Sequence, residues 1–271
     1  MRIEAITSPQ NPKIKELLAL QEKSKLRRGK ALFVVEGIRE LEHCISAGFK
    51  PDTIFYCPSI LGTSRAFGEL IGAGGPLPSD AKLIEIPEEL YAKVAYREGT
   101  EGVIAEIRWK EMSLDGLKLK ENPLIAILEG MEKPGNLGAV LRSADAAGAD
   151  AVIICDPLTD IFNPNLIRAS IGAIFTTQVA TATSEETIAF LKAHGIQILT
   201  AQLQDSEWYY STDMKKGTAI VIGTESTGLT DIWRKAADRH VRIPMLGKLD
   251  SLNASVSAAI LLYEAVRQRN S

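Results

Sequence analysis

Two α/β units, the second built on a largely parallel sheet, are the fold class this sequence predicts. Three observations carry the prediction. The 271 residues suffice for one or two domains of ordinary size. The second half repeats continuous apolar runs of buried-strand type, interleaved with segments of helical period. The first half alternates shorter strand and helix patterns and is set off by the polar stretch KEMSLDGLKLKEN at 110–122. Apolar residues at 45% and charged residues at 24% are globular proportions, which excludes disordered, collagenous and low-complexity chains. The expected division is a first domain at 1–109, a linker at 110–122 and a second domain at 123–271.

Asn11-Pro12 reads as a helix start, an N-cap followed by proline at the first helical position, with Ile14, Leu17 and Leu18 as the apolar stripe. A strand at 32–35, a helix at 38–47 closed by Gly48, and a strand at 53–56 follow. The Gly/Pro-rich stretch 72–78 is a loop; its GAGGP lacks the GxGxxG spacing of a phosphate-binding turn. Then come a strand at 82–86, a helix at 88–96 and a strand at 102–108. The second half opens with the apolar run LIAILEG, continued by AVIIC (151–155), TTQVA (176–180), IQILT (196–200), AIVIG (219–223) and VRI (241–243). Helix patterns lie between them at 136–147, 163–173 and 184–194. A last helix spans 252–267, its apolar stripe drawn through Leu252, Val256, Ala259, Ile260 and Tyr263.

The formal net charge of −3 means that a nucleic-acid contact has to come from a local patch. One is present: residues 1–30 carry eight Lys/Arg against three Glu, with Lys23, Lys25, Arg27 and Arg28 at its end. It reads either as a solvated helix face or as a contact to a phosphate backbone. The three cysteines are widely separated and form no CxxC, which suits a reducing compartment. The three histidines are isolated and no HExxH is present, so no metal site is expected. The start of the sequence lacks a signal-peptide core and no apolar run reaches about 18 residues, the length of a membrane span. A cytoplasmic protein with no membrane partner is the expectation.

In parallel α/β sheets, ligands bind beyond the carboxyl ends of strands. Three such junctions carry more small and polar residues than a core needs. The first runs from Glu129 to Arg142, with a Pro134-Gly135-Asn136 turn; Leu137, Val140, Leu141 and Ala144 make its buried stripe, so Arg142 lies off it. Arg142 either leans over Gly138 towards a ligand or pairs with Asp145 three residues on. The second, IGTEST, delivers Glu225 onto a loop flanked by Gly223 and Gly228. The third, 243–255, clusters Asp250, Ser251 and Asn253 at a helix start, of which one is accounted for as a cap.

These three segments, KPGNLGAVLRSADAAG, IGTESTGL and IPMLGKLDSLNASVSAAILLYEA, resemble in order and spacing the motifs of the SpoU/TrmH family of RNA ribose methyltransferases. SPQNPKIKELLAL, Arg27-Arg28 and FVVEGIRELEHCISAG also resemble the substrate-binding domain of the family's rRNA-directed branch. The resemblance implies a trefoil-knotted α/β (SPOUT) catalytic domain preceded by a small ribosomal-protein-like α/β domain. It also implies S-adenosyl-L-methionine as cofactor, a homodimer joined through the knotted domain, and 2′-O-methylation of RNA, rRNA before tRNA. By the same resemblance Thr200, Gly223, Ile243, Met245, Leu252 and Asn253 would hold the cofactor. Asn136, Arg142, Glu225, Ser251 and Asn253 would form the catalytic set, and Arg168 would touch RNA. Lys133 and Ser226-Thr227 depart from the commoner family residues at their positions. With no histidine in the motifs, Arg142 would polarise the ribose hydroxyl and stabilise developing alkoxide charge rather than act as a base. The alternatives are a tRNA 2′-O-methyltransferase or a non-catalytic, ribosome-associated RNA-binding protein of the same fold.

Overall fold

The computed structural model describes residues 3–72, 74–96, 101–224 and 227–271. It separates into two units, one of residues 1–111 with Phe162–Ile167, the other of Met112–Ile161 with 168–271. The short segment at 162–167 belongs to the first unit, which no sequence pattern foretells.

The first unit contains β1 (Ile3–Ala5), α1 (Pro12–Glu22), α2 (Ser24–Lys30), β2 (Leu32–Glu36), α3 (Ile38–Ser46), β3 (Lys50–Tyr56), α4 (Pro58–Leu61), α5 (Arg65–Ile71), β4 (Lys82–Glu85), α6 (Glu88–Val94) and β5 (Val103–Arg108). The Asn11 side chain accepts from Lys13 N at 2.9 Å, the cap expected at the start of α1. The buried stripe of α1 is Ile14, Leu17, Leu20 and Gln21, with Leu18 only half-buried. The sheet order is β1-β4-β3-β5-β2; β5 pairs antiparallel with β3 and β2, and the rest pair in parallel. On one side of the core, Phe162 stacks on Phe33 with ring centres 4.1 Å apart, and Phe49 meets both edge-on. That aromatic contact explains why residues 162–167 belong to this unit: a large ring completes its core.

The second unit contains β6 (Leu124–Glu129), α7 (Pro134–Ala146), β7 (Ala151–Cys155), α8 (Pro164–Ser170, which begins in the first unit), α9 (Ala173–Thr176), β8 (Val179–Ala182), α10 (Ser184–Ala193), β9 (Gln197–Ala201), β10 (Glu207–Trp208), β11 (Thr218–Ile222), α11 (Asp231–Ala236), β12 (Arg239–Arg242) and α12 (Ala254–Arg269). Its sheet runs β10-β12-β9-β11-β6-β7-β8, and every pairing is parallel. Parallel strands are covered on both faces, which is why they read as unbroken apolar runs. Ile125, Ile127, Ile153, Val221, Ile198 and the fully buried Trp233 form the core on one face.

Four expectations change. Residues 112–119 are no linker: Leu114, Leu117 and Leu119 pack on this core, Thr181 N donates to Met112 O at 2.7 Å, and Lys118 N donates to Gln178 Oε1 at 2.8 Å. The helix expected at 163–173 breaks at Ile171 (φ +52°) and Gly172 (φ +81°). The strand expected at 176–180 begins later, at Val179, because Thr176 still belongs to α9 and Thr177 is its C-cap. In α12 the buried face is Ala254, Ala258, Leu261, Leu262 and Ala265, whereas Val256 and Tyr263 are about half exposed. Small residues face inward because α12 packs closely on α7 and β11.

Glu106 of β5 is a buried acid of the first unit. Burial and the nearby Glu16 and Asp52 push its pKa up to about 7, against smaller opposing effects of Thr53 and Lys82. One of its oxygens, Oε1, lacks a partner among the described residues. Because this value is raised above that of the unfolded chain, the folded state holds the extra proton, and stability falls as pH rises from about 4.5 to 7. Glu106→Gln is expected to flatten that slope in urea unfolding across pH 5–8 and to stabilise at pH 8 by on the order of 1–2 kcal/mol.

Candidate functional site

Because β9, β11 and β12 are parallel neighbours, their carboxyl ends open on one edge of the sheet. A cavity of about 380 Å³ lies there. Its walls come from the end of β9 and the residues after it (Ala201–Gln204), from Ile222–Thr224 and Thr227–Leu229 at and after the end of β11, and from Val241–Ile243, Met245 and Asp250–Leu252 between the end of β12 and α12. Glu129 at the end of β6 anchors the second of these. Its carboxylate accepts from Thr230 N at 2.9 Å and from the Thr230 hydroxyl, fixing the start of α11.

The loop after β11 folds flat on the strand end. Thr224 and Gly228 exchange backbone hydrogen bonds of 3.3 and 3.1 Å, and Gly228 sits at φ +67°, a left-handed conformation suited to glycine. A Cβ on Gly223 would lie 2.4 Å from the Gly228 carbonyl carbon and 2.7 Å from Leu229 N. Both glycines therefore shape the loop itself. The buried Gly138 is similar: a Cβ there would meet Ala169 Cβ at 2.6 Å and Ser170 N at 2.8 Å. Its missing side chain admits a packed helix, not a ligand, which corrects the expectation that Arg142 leans over an open glycine.

Of the residues expected to hold a cofactor, Asn253 is outside the wall, whereas Gly223, Ile243, Met245 and Leu252 line the cavity. Thr200 does not. It is fully buried, its hydroxyl 2.6 Å from His240 Nδ1, and the next residue, Ala201, forms the wall. Among the expected catalytic residues Ser251 lines the cavity, and its hydroxyl donates to Asp250 Oδ1 at 3.3 Å. Asn253 is the cap of the junction: its Oδ1 accepts from Ser255 N at 3.0 Å and Ser255 Oγ at 2.6 Å. The other end of its amide donates to Asn136 Oδ1 at 3.1 Å, tying the heads of α7 and α12 together. Arg142 is exposed on α7; Asp145, its candidate partner, accepts instead from Thr176 Oγ1 at 2.6 Å. Glu225 lies outside the described residues.

In the first unit Lys23, Lys25 and Arg28 are exposed. Arg27 is 1% exposed and its Nη1 donates to Leu20 O at 2.6 Å and Gln21 O at 3.0 Å. Its charge is spent on the carboxyl end of α1, so Arg27 is withdrawn from the RNA-contacting set. Lys30 is paired with Glu16 at 2.6 Å, and Lys13 with Glu4. Arg168 is exposed near the end of α8.

The sequence reading missed Gln202, Thr227, Arg234 and Ser257 in the cavity wall. Gln202 and Thr227 follow strand ends and Ser257 lies one helical turn from Asn253, whereas nothing in the sequence pointed to Arg234. Cysteine chemistry has no support: Cys44, Cys57 and Cys155 are buried, and burial raises the Cys44 thiol and pushes Cys155 up to about 12. Among the described residues no His, Cys, Asp and Glu group is placed to hold a metal ion, and no helix is long and apolar enough to cross a membrane. The cavity has the size of a small-molecule site. Backbone at Gly223 and Ile243, apolar Val241, Met245 and Leu261, and charges at Arg234 and Asp250 fit a nucleoside joined to a zwitterion. Gly223→Ala is expected to cost about 1–3 kcal/mol in urea unfolding, because backbone must move. Gly135→Ala, where an added Cβ meets nothing within 4 Å, is expected to be neutral or slightly stabilising.

Comparison with known proteins bears on the same three junctions. The model of the SpoU rRNA Methylase family matches residues 123–263, and that of the MRM3-like substrate binding domain matches 11–105. A 23S rRNA (uridine(2479)-2′-O)-methyltransferase of Streptomyces viridochromogenes is 30% identical over 253 residues, 88% of this chain and 83% of that one. A TrmH-family protein of Staphylococcus saprophyticus is 39% identical over 147 residues, 54% of this chain, and the match spans 59% of its length. Among solved structures, an RNA 2′-O ribose methyltransferase superposes with TM-score 0.82 at 37% identity, covering 98% of this chain and all of that one. An AdoMet-bound rRNA methyltransferase from Sinorhizobium meliloti superposes with TM-score 0.86 at 29% identity over 98% of both chains. With the family model laid over all three glycine-marked junctions and the likeness running the length of both units, the chain belongs to the SpoU rRNA methylase family.

Proposed function

We propose that this chain is an S-adenosyl-L-methionine-dependent RNA 2′-O-ribose methyltransferase that acts on ribosomal RNA as a cytoplasmic homodimer. One observation carries the reading: residues of the second and third family-like segments, Gly223, Ile243, Met245, Ser251 and Leu252, converge on one cavity at the strand ends. Ribosomal RNA is favoured over tRNA because relatives matched along nearly the whole chain, both units included, are rRNA enzymes by name. Three unpaired, buried thiols suit a reducing compartment.

The cofactor supplies, when bound, a methyl group already activated for displacement. This chain has to hold it, hold the ribose, and make a poor hydroxyl nucleophile better. Cavity backbone at Gly223, Ile243 and Leu252 would hold the nucleoside. A guanidinium offers hydrogen-bond donors and no acceptor, so Arg142 polarises the 2′-hydroxyl and stabilises the alkoxide rather than taking the proton. The Asn136–Asn253 bond fixes the head of α7, the helix that carries Arg142. Exposed Lys23, Lys25, Arg28 and Arg168 would contact the RNA backbone.

The homodimer is supported by apolar surface that one chain leaves uncovered. Leu246 is 98% exposed, and Val256 and Tyr263 lie on the outer face of α12. Arg142 is absent from the cavity wall of its own chain, which favours a role at the partner's cavity.

Two experiments test this. Arg142→Ala is expected to lower single-turnover methylation of rRNA by about 10²–10³-fold while cofactor affinity, read by calorimetry, changes little. Full rate in Arg142→Lys would exclude the planar, two-donor role. Val256→Asp is expected to shift sedimentation from dimer to monomer and abolish turnover together; an active monomer would overturn the dimeric site.

A further inference from the structure

We infer that Arg234 binds the carboxylate of the cofactor's amino-acid half. The inference rests on the proposed use of S-adenosyl-L-methionine and adds a residue that no motif marks.

Three charged side chains line the cavity among the described residues: Arg234, Arg242 and Asp250. A carboxylate entering it has two cations to choose from and one anion to avoid. Arg242 is committed. Its guanidinium lies 4.3 Å over the Trp208 ring, and its Nη1 donates to Ser206 O at 2.7 Å. Arg234 makes only a 3.6 Å contact to Asp231 three residues earlier, with both side chains open to solvent. Such a pair contributes little, so exchanging it for a better-shaped partner costs little.

The position is also well held. The residue before it, Trp233, is fully buried, and its Nε1 donates to Ser184 Oγ at 2.9 Å. Thr230, the cap of α11, is bound to Glu129. The backbone that carries Arg234 is thereby pinned on both sides while its side chain stays half exposed. Arg234 Nη2 lies 4.0 Å from where a Cβ on Gly228 would sit, so the guanidinium flanks the loop at a point where no side chain intervenes. A planar fork beside an open backbone matches a carboxylate with two parallel N–H donors. Asp250, of like charge, disfavours the same group on its own side of the cavity.

The test uses the full-length chain and removes the amino-acid half of the ligand. Calorimetry compares S-adenosylhomocysteine with 5′-methylthioadenosine, which keeps the nucleoside and lacks the carboxylate. Arg234→Leu is expected to weaken S-adenosylhomocysteine about tenfold or more and to leave 5′-methylthioadenosine within about twofold, with Arg234→Lys between the two. An equal loss on both ligands would make Arg234 a structural residue of the wall and sink the inference. So would unchanged affinity for both, including the case in which only RNA binding weakens. If the unmodified chain binds neither ligand, the failure lies with the cofactor assignment itself.

Discussion

The structure of the site depends on one close approach, the backbone of Gly223 against that of Gly228 and Leu229. Seven parallel strands send all their carboxyl ends to one edge, and an ordinary side chain at the end of β11 would fill the space there. With no side chain at 223, the loop turns back on itself through the Thr224–Gly228 bridge and leaves the strand end open. The adjoining walls then follow from sheet order. β9 and β12 are the next strands along, so the residues after Ala201 and Val241 face the same opening. The Glu129 carboxylate, fastened to Thr230, keeps the loop's far end from drifting.

A polar group can serve a ligand only where the fold has not already used it. Thr200, Arg27 and Arg242 are each spent: on a histidine, on helix-end carbonyls, and on an indole face with a carbonyl. Thr200 and Arg27 are buried and have to be satisfied, because an unpaired buried group costs about 1–3 kcal/mol, and the partly buried Arg242 is held by its indole and carbonyl partners. Their chemistry is therefore structural whatever their residue type suggests. Arg142 and Arg234 stand apart because neither is needed to satisfy a buried partner. The two asparagines occupy a middle ground. Asn253 caps a helix with one end of its amide and reaches Asn136 with the other, so a structural duty also aligns two helix heads.

What the sequence made legible follows from the same division. Buried parallel strands announce themselves as apolar runs, and six of the seven strands in the second unit were marked in this way; the two-residue β10 is too short to carry a pattern. The stripe of α7 was legible because its inward residues are large. That of α12 was not, because its inward face mixes alanines with Leu261 and Leu262 while Val256 and Tyr263 point outward. The basic run after α1 could not disclose that one of its arginines turns inward, since burial of a guanidinium depends on where free carbonyls end up. Cavity residues flanked by glycines were found. Gln202 and Arg234 were not, because a wall residue on a loop or short helix has no periodicity to betray it.

The outward face of α12 bears on how the chemistry is assembled. A helix that gives inward positions to Ala254, Ala258 and Ala265 beside Leu261 and Leu262, yet exposes Val256 and Tyr263, is oddly ordered for a free surface, where exposing large apolar groups brings no gain. The order is sensible if both faces are buried, the small one against α7 of the same chain and the large one against another copy. Residues of the second and third segments surround the cavity, whereas Arg142 of the first projects from α7 outside it. In a two-fold dimer each patch meets its own image, so any residue displaced from its own cavity across that patch is delivered towards the partner's. The proposed homodimer would account for both the uncovered helix face and the displaced guanidinium, with the second copy completing the active site.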